Sequence, residues 1–339
     1  MRQHHNLTIQ DVAREAGVST ATVSRILNGT GKVSPEKVQR VREVIERLGY
    51  KANPFSRSLL TEDLKTVGVL VPNLKDEFYG VIVNTIEQHL LEHDLHMMCS
   101  LGHDDPRKEK QAIQTFKSRH LDAYILFTDL LPDEDLLELM QEGVPMVILN
   151  RLIPEAASTC LYVDNEMGGE QATRHLLDLG HTRIAHITGP LNRPDTLGRY
   201  TGYIRALQAA GVPADPALFA SANGQDWAEA EGEKLTQRLL ARTHFTALFA
   251  SNDWLALGAV RALQAAGLRV PQDVSVVSFD DRTFARTVLQ GLTAVHFPSE
   301  ELGTQAAQLV VSLLGEEEPT ARPPLQTHLV VRGSTGKVK

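Results

Sequence analysis

The chain has 339 residues, is 42% hydrophobic and 22% charged, and carries a formal net charge of -8. That is the composition of a globular protein long enough for two or three domains. No run of 18 apolar residues exists, so no membrane-spanning helix is expected, and MRQHHNLTIQ lacks the apolar stretch of a secretory leader. Cys99 and Cys160 are too few for a disulfide framework, which fits a reducing cytoplasm. The charge is uneven. The first 60 residues hold ten Lys/Arg against five Asp/Glu, and the remainder holds 24 against 37. A basic head on an acidic body points to a polyanion as the partner of the head.

In chain order, Thr8 and Asp11 form a weak capping box, and Ile9, Val12, Ala13 and Ala16 continue it as a short helix that Gly17 stops. Ser19 caps a second helix with Val23, Ile26 and Leu27 inward, broken by Asn28-Gly29. Ser34-Pro35 starts a third, with Val38, Val41, Ile45 and Leu48 as its buried stripe and Gly49 as its stop. Two short helices joined by a glycine turn are a helix-turn-helix, whose second helix enters the major groove of DNA. Thr20 and Ala21 are small enough for close approach to base edges. The hydroxyls of Ser19, Thr22 and Ser24 suit phosphates, and Arg25 suits a guanine edge.

The run TIQDVAREAGVSTATVSRILNGTGKVSPEKVQRVREVIERLGYKANPFSRSLLT resembles the DNA-binding head and hinge of the LacI/GalR (lactose-repressor) family of bacterial transcription regulators. The resemblance assigns Thr20, Ala21 and Arg25 to base reading, and Thr8, Asn28 and Lys32 to further DNA contacts. Tyr50 and Asn53 begin the hinge. It implies that NPFSRSLLT folds when two copies meet in the minor groove, with Leu59 as the apolar wedge and Ser56 standing where alanine is more usual.

From Thr66 the pattern changes. TVGVLVP, LHMMCSL, DAYILF and PMVILN read as buried strands, with helices near 80–92, 107–118 and 133–141 between them. A second round has strands TRIAHITG, FTALFAS and DVSVVSFDD, and helices near 166–179, 197–210, 228–240 and 253–266. Two α/β lobes follow, with the ligand site between them beyond the carboxyl ends of the strands. DNEMGGEQATRHLLDLGHTRIAHITGP, RYTGY, SNDWLALGAVRAL and VSVVSFDD resemble the effector core of the same family. That likeness implies a periplasmic-binding-protein-like fold, with a helix near 298–314 returning to the first lobe and the strand in LQTHLVVRGST returning to the second.

Strand ends and the loops after them nominate Phe78, Arg151, Asp195, Arg199, Asn252, Asp253 and Asp280 for the cleft. The resemblance adds weight to Arg199, Asn252 and Asp280, aligns Trp227 with a sugar-stacking aromatic, and puts Phe297 at the hinge side. Carboxylates and a guanidinium suit vicinal hydroxyls, since each offers two partners at fixed spacing. His93, His96 and Cys99 straddle a helix end and a strand, so no metal is expected; nor is any nucleotide cofactor, since no phosphate-binding glycine motif is present.

The expected architecture is α/β: a three-helix helix-turn-helix domain (1–52), a hinge (53–62) and a two-lobed effector-binding and dimerisation domain (63–335). Lobe 1 spans about 66–164 and 298–325, and lobe 2 about 165–297 and 326–333. The expected function is that of a cytoplasmic, non-enzymatic, homodimeric repressor of carbohydrate-utilisation genes. It would bind a near-palindromic operator in double-stranded DNA and respond to a sugar or sugar phosphate. A nucleobase or protein co-effector is one alternative. A cytosolic carbohydrate-binding protein or enzyme with an incidental basic head is the other.

Overall fold

The computed structural model describes residues 7–27, 33–48, 65–75, 77–222 and 228–338. It divides into two units, Met1–Leu64 and Lys65–Lys339.

The first unit contains α1 (Ile9–Ala16), α2 (Thr20–Leu27) and α3 (Pro35–Leu48). The capping box forms: the Thr8 N–H donates to the Asp11 carboxylate at 3.0 Å, and the Thr8 hydroxyl does so at 2.7 Å. Gly17 ends α1 at φ +64°, a left-handed backbone that costs glycine little. The Ser19 hydroxyl accepts the Thr22 N–H at 3.2 Å and so caps α2. The core is Val12, Ala13, Ala16, Val23, Val41 and Val44. On α3 the buried stripe thus runs through Val44, which the sequence reading passed over. Val38 is only half-buried, and Ile45 and Leu48 pack at the core margin.

The second unit holds two sheets. One has the order β2-β1-β3-β4-β5, from β1 (Thr66–Val71), β2 (His96–Leu101), β3 (Ala123–Phe127), β4 (Met146–Leu149) and β5 (Cys160–Leu161). Every pairing in it is parallel. The other has the order β11-β10-β9-β8-β6-β7, from β6 (Ile184–Thr188), β7 (Phe219–Ser221), β8 (Ala247–Ala250), β9 (Ser275–Asp280), β10 (Thr293–His296) and β11 (His328–Val330). It is parallel except that β11 runs antiparallel to β10. Helices flank both sheets, so β3, β4, β6, β8 and β9 are buried throughout.

The first sheet carries α4 (Glu77–Glu92), α5 (Pro106–Ser118) and α6 (Asp133–Gln141), and α11 (Ser299–Leu314) returns to pack on α4. The second carries α7 (Asn165–Asp178), α8 (Pro194–Ala209), α9 (Glu229–Arg242) and α10 (Asp253–Ala265). Three chain segments pass between the lobes: after β5, after β10 and before β11. Strands β5, β7 and β10 were not anticipated, because two to four residues carry no readable period.

Two helix pairs in the second lobe cross at backbone contact. A Cβ on Gly169 would collide with the Arg199 carbonyl, and one on Gly202 with the Glu166 carbonyl, where α7 meets α8. Gly232 and Gly258 make the same reciprocal contact between α9 and α10. These crossings place the first turns of α8 and α10, and their polar side chains, at the edge facing the first lobe.

Candidate functional site

On the head, Ser19, Thr20, Ala21 and Arg25 are exposed, with Thr22 and Ser24 half-buried beside them. Ala21 and Arg25 lie four residues apart on one face of α2. Val23 points the other way, into the core. Thr8 is exposed, but its hydroxyl is engaged with Asp11. Asn28, Lys32, Tyr50, Asn53, Ser56 and Leu59 lie outside the described residues, as does Trp227.

In the second unit a cavity of about 720 Å³ opens between the lobes beyond the strand ends. Arg199 is held on several sides. The Arg199 Nε donates to Asn165 Oδ1 at 2.8 Å, and its Nη1 donates to the Ser251 carbonyl. The same Nη1 stands 3.4 Å from the Asp280 carboxylate, and the guanidinium lies 3.8 Å above the Phe279 ring. Asp280 also pairs with Arg282 at 2.9 Å. β9 ends with two consecutive residues at positive φ, Asp280 at +99° and Asp281 at +62°. Such conformations cost about 1–3 kcal/mol each and persist where packing over-determines them.

Of the other expected cleft residues, Phe78, Asp195 and Asn252 line the cavity. Asn252 also caps α10, accepting the Leu255 N–H at 2.7 Å. Three others do not line it. Arg151 turns away to the Leu131 carbonyl at 2.6 Å and to Asp133, and Asn150, at φ +58°, faces the cavity in its place. Asp253 points inward, accepting the Ser278 hydroxyl at 2.5 Å and the Arg282 N–H at 2.7 Å. Burial, with the nearby Asp280 charge, pushes the Asp253 carboxyl up to about 7. It braces the turn that presents Asp280 and Arg282, while its neighbour Trp254 lines the cavity, packed on Phe284 at 4.5 Å. Phe297 is 1% exposed and backs Phe78, ring to ring at 4.8 Å.

Sequence reasoning missed a second charged group at the cavity. Arg193, at the N-cap of α8, is 4% exposed. Its Nη2 lies 2.5 Å from Asp104 and 3.6 Å from Asp129. Burial alone would lower the guanidinium's pKa, but Asp129, Asp195 and Asp104 outweigh it and raise the value. Asp129 is pushed up to about 7, first by burial and then by Asp195. Burial likewise raises Tyr79 beside it, and raises Glu109, which accepts the Thr128 hydroxyl at 2.6 Å. Asp104, Asp129 and Arg193 each follow a strand end, but no sequence pattern marks them as partners, because they arrive from three separate loops.

Among the described residues, no group of three or more His, Cys, Asp or Glu side chains is arranged to hold a metal, and no helix is long and apolar enough to cross a membrane. The cavity offers paired carboxylates, guanidinia, amides and aromatic faces. That chemistry grips a hydroxylated ligand by its edges and packs on its faces.

Comparison with known proteins agrees with both units. Residues 8–53 match the description "Bacterial regulatory proteins, lacI family", and residues 173–335 match "Periplasmic binding protein-like domain". The HTH-type transcriptional regulator GalR of Escherichia coli (strain K12) is 36% identical over 307 residues, covering 90% of this chain and 89% of its own. A solved complex of the transcriptional regulator CelR with cellobiose is 34% identical with a TM-score of 0.73, covering 97% of this chain and 99% of that one. The Lac repressor dimer bound to operator and the anti-inducer ONPF is 26% identical with a TM-score of 0.82, again over 97% and 99%.

Proposed function

Because the chain belongs to the lacI family of bacterial regulatory proteins, we propose that its activity is ligand-tuned repression: a homodimer holds a near-palindromic operator, and a sugar in the interlobe cavity sets the strength of that hold. The chain is a DNA-binding transcriptional regulator and not an enzyme. Residues 1–52 bind DNA, 53–62 form the hinge and 63–335 bind the effector and dimerise, in the cytoplasm. Thr20, Ala21 and Arg25 read bases, Ser19, Thr22 and Ser24 contact phosphates, and Leu59 is the minor-groove wedge.

The observation that carries the sugar reading is the buried Arg199–Asp280 pair at the cavity wall, at 3.4 Å, on a strained β9 terminus. Asp280 accepts from one hydroxyl while Arg199 donates to its neighbour, with Asn252 and Asp195 alongside. The bound cellobiose of CelR and the operator-bound Lac repressor dimer support the same division of labour. A ligand shifts DNA affinity only by its differential affinity for the two lobe arrangements, about 1–3 kcal/mol or 5- to 150-fold.

The test has two steps. Duplexes bound by the purified protein are selected from random DNA, and their affinity is then measured against galactose, cellobiose and a purine base. A half-site palindrome whose affinity changes with a sugar supports the reading. No preference over random duplex removes it, and a response to the purine alone removes the sugar.

A further inference from the structure

Arg193 belongs to the second lobe, where its carbonyl accepts the Thr196 hydroxyl at 3.0 Å and fixes it to the start of α8. Two carboxylates within ion-pair distance, Asp104 and Asp129, belong to the first lobe, while Asp195, which also favours the guanidinium's charge, sits on α8 beside it. Asp104 follows β2 at φ +52°, directly before Asp105, whose side chain caps α5. Asp129 follows β3, beside the buried Glu109–Thr128 hydrogen bond. The guanidinium therefore crosses the cleft, and its side chain is 5% exposed against 4% for Asp129. Opening the cleft would separate a buried cation from two anions held by rigid elements.

We propose that Arg193, Asp104 and Asp129 form a clasp that holds the lobes together before any effector enters, making Arg193 a positioning residue for regulation. A second tie exists where Glu77 of α4 accepts the Thr283 N–H at 3.1 Å and the Thr283 hydroxyl. The Arg193 clasp sets a buried guanidinium against carboxylates of the other lobe, so it carries the larger share of the bias. The effector's apparent affinity scales with the fraction of molecules already in the competent arrangement. Clasp strength thus sets effector sensitivity, a consequence that rests on the effector reading above. Asp129 does not line the cavity. Its substitution changes the clasp without removing a ligand contact.

The clasp is tested without ligand or DNA. In full-length protein carrying Trp227→Phe, Trp254 is the remaining tryptophan and lines the cleft. Acrylamide quenching of its fluorescence reports access. Arg193→Met is expected to raise the quenching constant about twofold or more, and Asp104→Asn and Asp129→Asn to move it the same way. Arg193→Lys, which keeps the cation, is expected to stay near the parent value. Parent-like quenching in Arg193→Met and Asp129→Asn overturns the clasp, as does an Arg193→Lys variant as open as Arg193→Met. With Trp227 kept, and where a sugar binds the parent, Asp129→Asn is expected to weaken that binding about fivefold or more. Opened clasp variants in a protein that no sugar affects would leave the clasp standing and remove the effector reading instead.

Discussion

Replacing Arg199 by methionine keeps an unbranched apolar side chain and deletes the guanidinium that lies over Phe279. At 3.4 Å from Asp280 the lost attraction is about 5 kcal/mol with an effective dielectric near 20. The Ser251 carbonyl and Asn165 Oδ1 lose donors as well, at about 1–3 kcal/mol for each group left unsatisfied. Against this, Asp280 keeps Arg282 at 2.9 Å, and the structure is relieved of desolvating one ion. Breaking one side of a buried pair costs about 3–5 kcal/mol in net, and that loss is expected for Arg199→Met. Urea unfolding of the full chain, followed by circular dichroism through the body transition, measures it. Adding Asp280→Asn should recover about 1 kcal/mol or more, because a carboxylate left to Arg282 alone no longer has to be buried charged. A single variant within about 1 kcal/mol of the parent, or a strictly additive double, would refute the claim that the pair is one electrostatic unit.

Gly202→Ala drives a methyl into the Glu166 carbonyl and should cost about 1–3 kcal/mol, read as a lowered Tm; no change would mean that α7 and α8 do not cross at backbone contact. His186, buried and stacked on Phe249 at 4.6 Å, has its pKa pushed down to about 3 by burial. Its stability contribution is complete above 6.5 and lost as pH falls toward 3, by up to about 1.4 kcal/mol per unit. His186→Phe should therefore gain on the parent as urea midpoints are compared from pH 7 down to pH 4, and a constant difference would contradict the buried neutral imidazole. Asp129 and Asp253, both raised to about 7, act in the opposite sense and favour folding as pH falls below 7, which is why the comparison is between variants at each pH. Arg25→Ala should cost about 1–3 kcal/mol of operator binding and relax preference at one base position; equal weakening on every duplex would reduce Arg25 to a phosphate contact.

The long buried strands and amphipathic helices were readable because parallel sheets covered on both faces demand continuous apolar runs. The α6 segment 133–141 and the cap of α2 stand where the sequence signals put them. The starts of α4 and α8 came three residues early, at Glu77 and Pro194. Errors at the cavity were errors of phase. Asn150 rather than Arg151 faces inward because a positive φ turns the chain after β4, and Trp254 rather than Asp253 does so because Asp253 is drawn to Ser278. Arg193 was invisible for another reason: its partners lie 89 and 64 positions away, and no local pattern encodes an encounter among three loops.

The reciprocal glycines of the second lobe restrict how that lobe can respond to a ligand. Where two helices touch through main chain on both sides, neither can slide or roll past the other without steric collision, so α7 with α8 and α9 with α10 act as welded ribs. A push on the ribs from the cavity wall therefore has few soft internal joints to dissipate it, and is passed whole to the three strands of chain that join the lobes.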